Sequence, residues 1–299
     1  MTTASPKNAV LFLATGSASS PEDVEEFLLD IRDGRAPSPE LLAEVKERYR
    51  LIGGSPFLRI TLAQADALKQ ELARRGLDLP VFAGMCHCAP RIHDAVAKMQ
   101  SAGIRKAVAI VMAPLHASFN QARYSKRLRD AQRSLGTDIE VRWIESWWEE
   151  PKFIEVWTTN IRKALAPDSA KTRLLFTAHS LPERILRSGD RYDKRFRACA
   201  AAVADRLGYA DWDTAFQSAG ASPEPWLGPS LKDRLPGLAE AGYGRVLVAP
   251  IGFVCDNAEI LYDIEAKALA RENGLRLDRA ELPNTMPLFI EAVADAVVL

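Results

Sequence analysis

Four histidines are spread over this 299-residue chain. One of them, His179, terminates the apolar run LLFTAH and is followed at once by Ser180 and a Leu-Pro pair that stops a helix from continuing. An imidazole at the carboxyl end of a strand can accept a proton near neutral pH or bind a metal through its neutral nitrogen. It can equally be a structural histidine bonded beside Ser180. Farther along, VLVAPIGFVCDNAEILYDIEAK runs from a strand through the turn at Pro250 and Gly252 into a helix that Asp256 is placed to cap. Within it Glu259 and Asp263 stand four residues apart, so both carboxylates fall on one helical face near its start. Acids in that position commonly serve only the helix dipole. Joined to His179, they would make a nitrogen-and-oxygen donor set suited to Fe²⁺, Zn²⁺ or Co²⁺.

Three further stretches carry polar or reactive side chains. FQSAGASPEPWLGP, residues 216 to 229, is rich in Gly and Pro around Trp226 and reads either as an ordered loop shaping a cleft or as a stiff connector with the indole packed inside. Residues 31 to 56 gather Arg32, Arg35, Arg48, Tyr49 and Ser55 around Gly53-Gly54-Ser55-Pro56. Arginine forks bind carboxylates bidentately, which suits an anionic ligand, although solvated arginines on helix faces give the same pattern. In Cys86-His87-Cys88, strand alternation would put both thiols on one side and the imidazole on the other, as a metal triplet or as packed thiols. With Cys199 and Cys255, these cysteines show no disulfide or zinc spacing.

These residues must be held by alternating strands and helices. Apolar, β-branched runs at Ala9 to Ala14, Pro80 to Met85, Ala107 to Met112, Ile139 to Ile144, Leu174 to Ala178 and Val246 to Ile251 read as buried parallel strands. Between them, Asp23 to Asp33, Pro39 to Tyr49, Thr61 to Arg75, Ala89 to Ser101, Ala122 to Leu135 and Pro151 to Leu165 show the i, i+3, i+4 pattern of amphipathic helices. The alternation predicts an α/β protein with parallel sheets. A helix and a Pro-Asp-Ser loop near residues 149 to 170 separate two such arrays, so the junction is expected there. In doubly wound sheets ligands lie beyond the carboxyl ends of the strands, where His179 is placed.

Acidic and basic side chains balance to a formal net charge of zero, which argues against a dedicated nucleic-acid binder. The first apolar run spans only about seven residues, too short for a signal-peptide core or a membrane span. A cytoplasmic protein without integral membrane contact is expected.

Taken together, AHSLPERI at 178 to 185, SAGASPEPWLGP at 218 to 229 and PIGFVCDNAEILYDIE at 250 to 265 resemble the signature stretches of the ferrochelatases, and the resemblance extends over nearly the whole chain. GGSPF at 53 to 57 and IRDGRAPSPELLAEVKERY before it are similar to the soluble bacterial branch that uses coproporphyrin III. The resemblance implies the chelatase fold, two Rossmann-like domains over 1–150 and 151–299 with a porphyrin cleft between them and a C-terminal helix packing back on the first. It implies Fe²⁺ insertion into a porphyrin in haem biosynthesis, with coproporphyrin III favoured over protoporphyrin IX. His179 corresponds to the family's active-site histidine and Glu259 to the carboxylate facing it across the porphyrin. Asp263 belongs to an acidic row leading outward. Arg32, Arg48, Tyr49, Ser55 and Tyr124 fall where propionates are held, and Thr15 falls where close relatives place a Tyr facing the metal. Fe²⁺ enters as substrate. No iron–sulfur cluster is expected, since no cysteine follows Cys255. The porphyrin and ferrous iron are the expected partners of a monomer.

The chain departs from the family pattern at Asn257, where a histidine is usual and which cannot take up a proton, at Thr15, and at Lys267, where an acid is usual. A noncatalytic tetrapyrrole carrier is therefore the alternative, followed by a chelatase for another metal or macrocycle. A generic two-lobed small-molecule binder would leave His179 and Glu259 unexplained.

Overall fold

Apolar strands and amphipathic helices alternate twice along the chain in the computed structural model, which describes residues 7–165, 171–220, 222–262 and 264–298. The first array comprises β1 (Lys7–Ala14), α1 (Val24–Ile31), α2 (Pro39–Leu51), α3 (Phe57–Arg74), β2 (Val81–Met85), α4 (Ile92–Ser101), β3 (Ile104–Val111), α5 (Ser118–Leu135) and β4 (Glu140–Ile144). After α6 (Pro151–Leu165) the second follows: β5 (Thr172–His179), α7 (Arg184–Arg187), α8 (Tyr192–Leu207), β6 (Trp212–Gln217), α9 (Leu231–Glu240), β7 (Arg245–Ala249), α10 (Ala258–Leu261), α11 (Ile264–Glu272), β8 (Arg276–Arg279) and α12 (Pro287–Val298). Among the described residues, no helix is long and apolar enough to cross a membrane.

Each array forms one four-stranded sheet, ordered β2-β1-β3-β4 and β6-β5-β7-β8, and every pairing is parallel. The two orders are the same when each sheet is counted from its own first strand. The chain therefore reverses direction between β1 and β3 in one sheet and between β5 and β7 in the other, which places a crevice at the carboxyl ends of those strands. Both faces of β1 are buried: Val10 and Phe12 join Phe153, Trp157, Phe176 and Phe289 in a core that spans both arrays, while Leu11 and Leu13 pack on Ile92 and Met99. The C-terminal helix closes against the first array, where Asp295 pairs with Arg75, the C-cap of α3, at 2.6 Å, and it also meets Lys152 of α6 at 2.9 Å.

Several sequence expectations are corrected. Neither β6 nor β8 has an apolar run, because both are sheet edges that pay for exposure with charge: Asp213 on β6 meets Arg234 at 3.1 Å, and Asp278 on β8 meets Arg245 at 2.6 Å. The helix expected to carry Glu259 and Asp263 on one face is not continuous. Tyr262 leaves the helical region at ψ 77°, so α10 stops after four residues, and Asp263 itself lies outside the described residues. The strand expected to alternate Cys86, His87 and Cys88 ends at Met85, and the triplet forms a bend.

Candidate active site

His179 is the last residue of β5, and its side chain is fixed from behind. Its Nδ1 faces the Ser180 carbonyl at 2.5 Å, and because a carbonyl only accepts, Nδ1 carries a proton. Nε2 is thereby left as the nitrogen that gains or loses one. It points to Glu259 Oε2 at 3.5 Å. Tyr192 Oη donates to the His179 carbonyl at 2.9 Å, and Ser180 Oγ donates to Leu227 O at 2.7 Å, which stitches the loop around Trp226 to the end of β5. That loop is a wall of the site, with Gly220 so close to the indole that a methyl group there would lie 2.6 Å from the ring.

Glu259 reaches His179 because the loop after β7 lies directly on the end of β5. Gly252 makes this possible: a Cβ there would sit 2.7 Å from Ala178 Cβ and 2.8 Å from Ala178 Cα. The following helix is capped by Asn257 rather than by the expected Asp256; Asn257 Oδ1 accepts from the backbone N–H of Glu259 at 2.9 Å and of Ile260 at 3.1 Å. Asp256 instead meets Arg279 at 3.5 Å.

Each of the two groups favours the charged form of the other. Burial opposes the His179 imidazolium, but the Glu259 carboxylate, its hydrogen bond and the Ser180 carbonyl outweigh burial and raise the His179 pKa above its ordinary value. Burial works the opposite way on Glu259, where the charge and hydrogen bond of His179, with the Ser218 hydroxyl, keep the pKa below the usual glutamate value. Both side chains remain partly exposed, at 36% and 45%. At 3.5 Å the two groups are in direct contact, and a flat ring, which needs roughly 3.5 Å of clearance on each face, does not fit between them in this arrangement.

Between the halves lies a cleft of about 540 Å³, walled by Phe27, Arg48 and Tyr49 on one side and by Gln217, Ser218 and Glu259 on the other. The volume falls within the range of small-molecule sites. Arg48 pairs with Glu44 and lies over the Tyr262 ring at 5.2 Å. Tyr49 Oη meets Ser17 Oγ at 2.9 Å, and Ser17 Oγ donates to Ser55 Oγ at 3.4 Å, giving a buried hydroxyl cluster. Tyr124 is buried with its hydroxyl on Thr15 Oγ1 at 3.1 Å, so the exposed Thr15 is the member of that pair open to a ligand. Arg32 does not line the cleft; its Nε is spent on the Arg35 carbonyl at 3.2 Å. Sequence reasoning missed Ser17, Gln217 and Ser218. Ser218 follows the end of β6 and sits at a left-handed φ of 60°, which its residue type does not announce.

His87 belongs to another network. Its Nδ1 faces Asp30 Oδ2 at 2.7 Å and its Nε2 receives Arg123 Nη1 at 3.1 Å, which fixes the neutral tautomer with the proton on Nδ1. Arg91 and Arg127 complete the ring around Asp30 at 3.1 and 2.9 Å. Burial lowers the His87 pKa; Arg123 and Arg127 also lower it, against the opposing pull of Asp30.

Two parallel sheets, a crevice at their carboxyl ends and an imidazole–carboxylate pair whose carboxylate lines it define a two-lobed α/β protein equipped to exchange protons or a cation with a bound ligand. Solved structures of the same shape are SirB from Bacillus subtilis with Fe³⁺, at TM-score 0.64 and 11% identity over 98% of this chain and 94% of that one, and CbiX, the terminal enzyme of sirohaem biosynthesis in denitrifying bacteria, at TM-score 0.56 and 13% identity over 97% and 98%. The sequence profile of the ferrochelatases matches residues 7–298. Coproporphyrin III ferrochelatase of Geobacillus kaustophilus is 40% identical over 299 residues, covering 97% of this chain and 94% of the relative; that of Bacillus subtilis is 37% identical over 302 residues, covering 98% and 97%. The chain belongs to the ferrochelatase family.

Proposed function

We propose that this protein inserts Fe²⁺ into coproporphyrin III as a step of haem biosynthesis. The observation that carries the reading is the His179–Glu259 pair at the junction of β5 and β7, whose Glu259 lines a cleft to which both halves contribute. The full-length likeness to coproporphyrin III ferrochelatases supports the choice of macrocycle. In this reading the half over 1–150 holds the propionates through Arg48, Tyr49 and Ser55, with Thr15 and Tyr124 at the metal-facing end. The half over 151–299 supplies the pair.

Insertion exchanges two pyrrole protons for one Fe²⁺ that sheds its water. His179 Nε2 accepts a pyrrole proton, for which it must first be neutral, and Glu259 passes protons outward. Asp263 is the next acid along the sequence in the row that the family resemblance implies. Both groups also offer donor atoms to the incoming ion as its water leaves. Arginine and hydroxyl donors along Arg48, Tyr49 and Ser55 suit a tetracarboxylate, since each ionised propionate gains most from charge-assisted hydrogen bonds. The protein works as a cytoplasmic monomer.

The test is anaerobic turnover of purified protein with Fe²⁺ and either coproporphyrin III or protoporphyrin IX, with His179→Ala alongside. Rapid loss of free coproporphyrin absorbance that disappears in the variant is the expected result. Tight porphyrin binding without conversion would overturn the enzymatic reading in favour of a tetrapyrrole carrier.

A further inference from the structure

Glu259 is carried by a helix of four residues, and a single turn of helix is not stable by itself. Its backbone is held from outside at both ends. At the start, Asn257 spends Oδ1 on the N–H groups of Glu259 and Ile260 and donates Nδ2 to the Cys255 carbonyl at 3.1 Å, so that both ends of its amide are engaged. At the other end, Arg279 donates to the Ile260 carbonyl while its Nη2 faces Asp256.

Asp256 is in turn gripped by Asn284. The Asn284 Oδ1 accepts from Asp256 N at 2.9 Å, its Nδ2 donates to Asp256 Oδ2 at 2.8 Å, and its backbone N–H donates to Val254 O at 3.0 Å. Asn284 does this from a left-handed φ of 46°, a conformation that asparagine tolerates better than most residues. The last tie comes from the other half of the molecule. Gln64 on α3, with no exposed surface, donates Nε2 to Asn284 O at 2.8 Å and to Val254 O at 3.2 Å.

We propose that Asn257 and Asn284 are positioning residues for Glu259, and that Gln64 ties their turn to the half that binds the macrocycle, so both halves set where the carboxylate meets the ring. Asn257 is then a functional choice and not a lost histidine. Asparagine is among the best N-capping residues, whereas an imidazole in its place would need a bare Nδ1 to accept the same bonds. The inference rests on the proposed chelatase reaction only for its kinetic readout.

The experiment compares Asn257→Ala, Asn257→Ser, Asn257→His and Asn284→Gly with wild type in Fe²⁺–coproporphyrin turnover, porphyrin binding and amide hydrogen exchange over 258–261. Serine still caps, and glycine keeps the left-handed backbone while deleting both bonds to Asp256. Asn257→Ala and Asn284→Gly are expected to lose kcat by about 10- to 100-fold, the scale of a misplacement near 1 Å, with KM for coproporphyrin unchanged within about threefold and exchange at α10 accelerated. Asn257→Ser is expected to restore kcat and protection, and Asn257→His to fall below wild type. Faster turnover in Asn257→His, wild-type kcat in Asn257→Ala, or equal losses in the Ala and Ser variants would overturn the proposal. Should wild type bind coproporphyrin without converting it, the chelatase reading fails, and the exchange data alone decide the clamp: protection lost in Ala and kept in Ser supports it, and protection unchanged in Ala overturns it.

Discussion

His179 Nε2 and Glu259 Oε2 face each other at 3.5 Å with their pKa values pushed apart, the imidazole upward and the carboxylate downward. At neutral pH the pair therefore tends toward imidazolium and carboxylate, and the nitrogen meant to receive a pyrrole proton must first release its own. The acid limb of kcat/KM for iron insertion is expected above 6.5, the ordinary histidine value from which His179 is raised. Glu259→Gln removes the opposing charge and moves that limb to lower pH while reducing the maximum rate. An acid limb that stays in place in Glu259→Gln would separate the two groups functionally.

The same shifts carry a stability signature with a definite sign. Raised His179 contributes below its unfolded value near 6.5 and loses the contribution as pH rises through its folded pKa; lowered Glu259 contributes above 4.5 and loses it as pH falls through its folded pKa. The overlap lies between the two reference values. Because both side chains are more than a third exposed, the effect is small and screened. Thermal unfolding of Glu259→Gln should differ most from wild type in that window, and the difference should shrink at higher ionic strength.

His87 predicts the opposite trend. Burial and two neighbouring arginines keep it neutral in the fold, so the unfolded chain takes up a proton that the folded chain refuses once pH falls below about 6.5. Stability is lost on that side as pH falls. Asp30, held low by His87 and Arg127 against burial, titrates below this range. His87→Asn keeps an N–H donor for Asp30 without a titrating ring, and its melting temperature should decline less than wild type between pH 6.5 and 5. An equal decline in both would remove His87 as the cause.

Much of this arrangement was legible beforehand, and the misses share a cause. The strand ending in His179 could be read because a parallel strand buried on both faces is apolar throughout, as in Leu174 to Ala178. The expected continuous helix through Asp263 failed because its periodicity was right while its backbone breaks at Tyr262, a turn that periodicity does not encode. Likewise Asp256 and Asn257 are both good caps; only the tertiary contacts of Asp256 with Asn284 and Arg279 leave the task to Asn257. Ser17 and Ser218 were missed because a lone serine has no pattern, and their meaning comes from partners 32 and 41 positions away, Tyr49 and Glu259.

Gly252 tests whether the closeness of the pair matters. An added methyl would meet Ala178 Cα at 2.8 Å, a backbone atom that cannot turn aside, so the loop after β7 must lift and carry Glu259 away from His179. Gly252→Ala should cost about 1–3 kcal/mol of stability through overpacking. It should also lower kcat by about 100-fold for a displacement near 1 Å. Near-normal kcat in a folded Gly252→Ala protein would show that the reaction tolerates a wider gap.

Arg48 tests how the ligand is held. Its guanidinium lies over Tyr262 at the cleft wall and, among the described residues, its ion pair is with Glu44, one turn earlier on α2, an exposed pair of the kind that contributes little. A carboxylate ligand can recruit it without dismantling structure. A hydrogen bond to a charged group is worth about 1.5–3 kcal/mol, so Arg48→Leu should raise KM for coproporphyrin by roughly 10- to 150-fold. The loss is in ground-state binding and transition-state binding alike, so kcat should hold. Arg48→Lys keeps the charge without the planar fork and should recover part of the affinity. If Arg48→Leu instead lowered kcat at unchanged KM, Arg48 would act on the reacting centre through Tyr262, and the propionate assignment would be wrong.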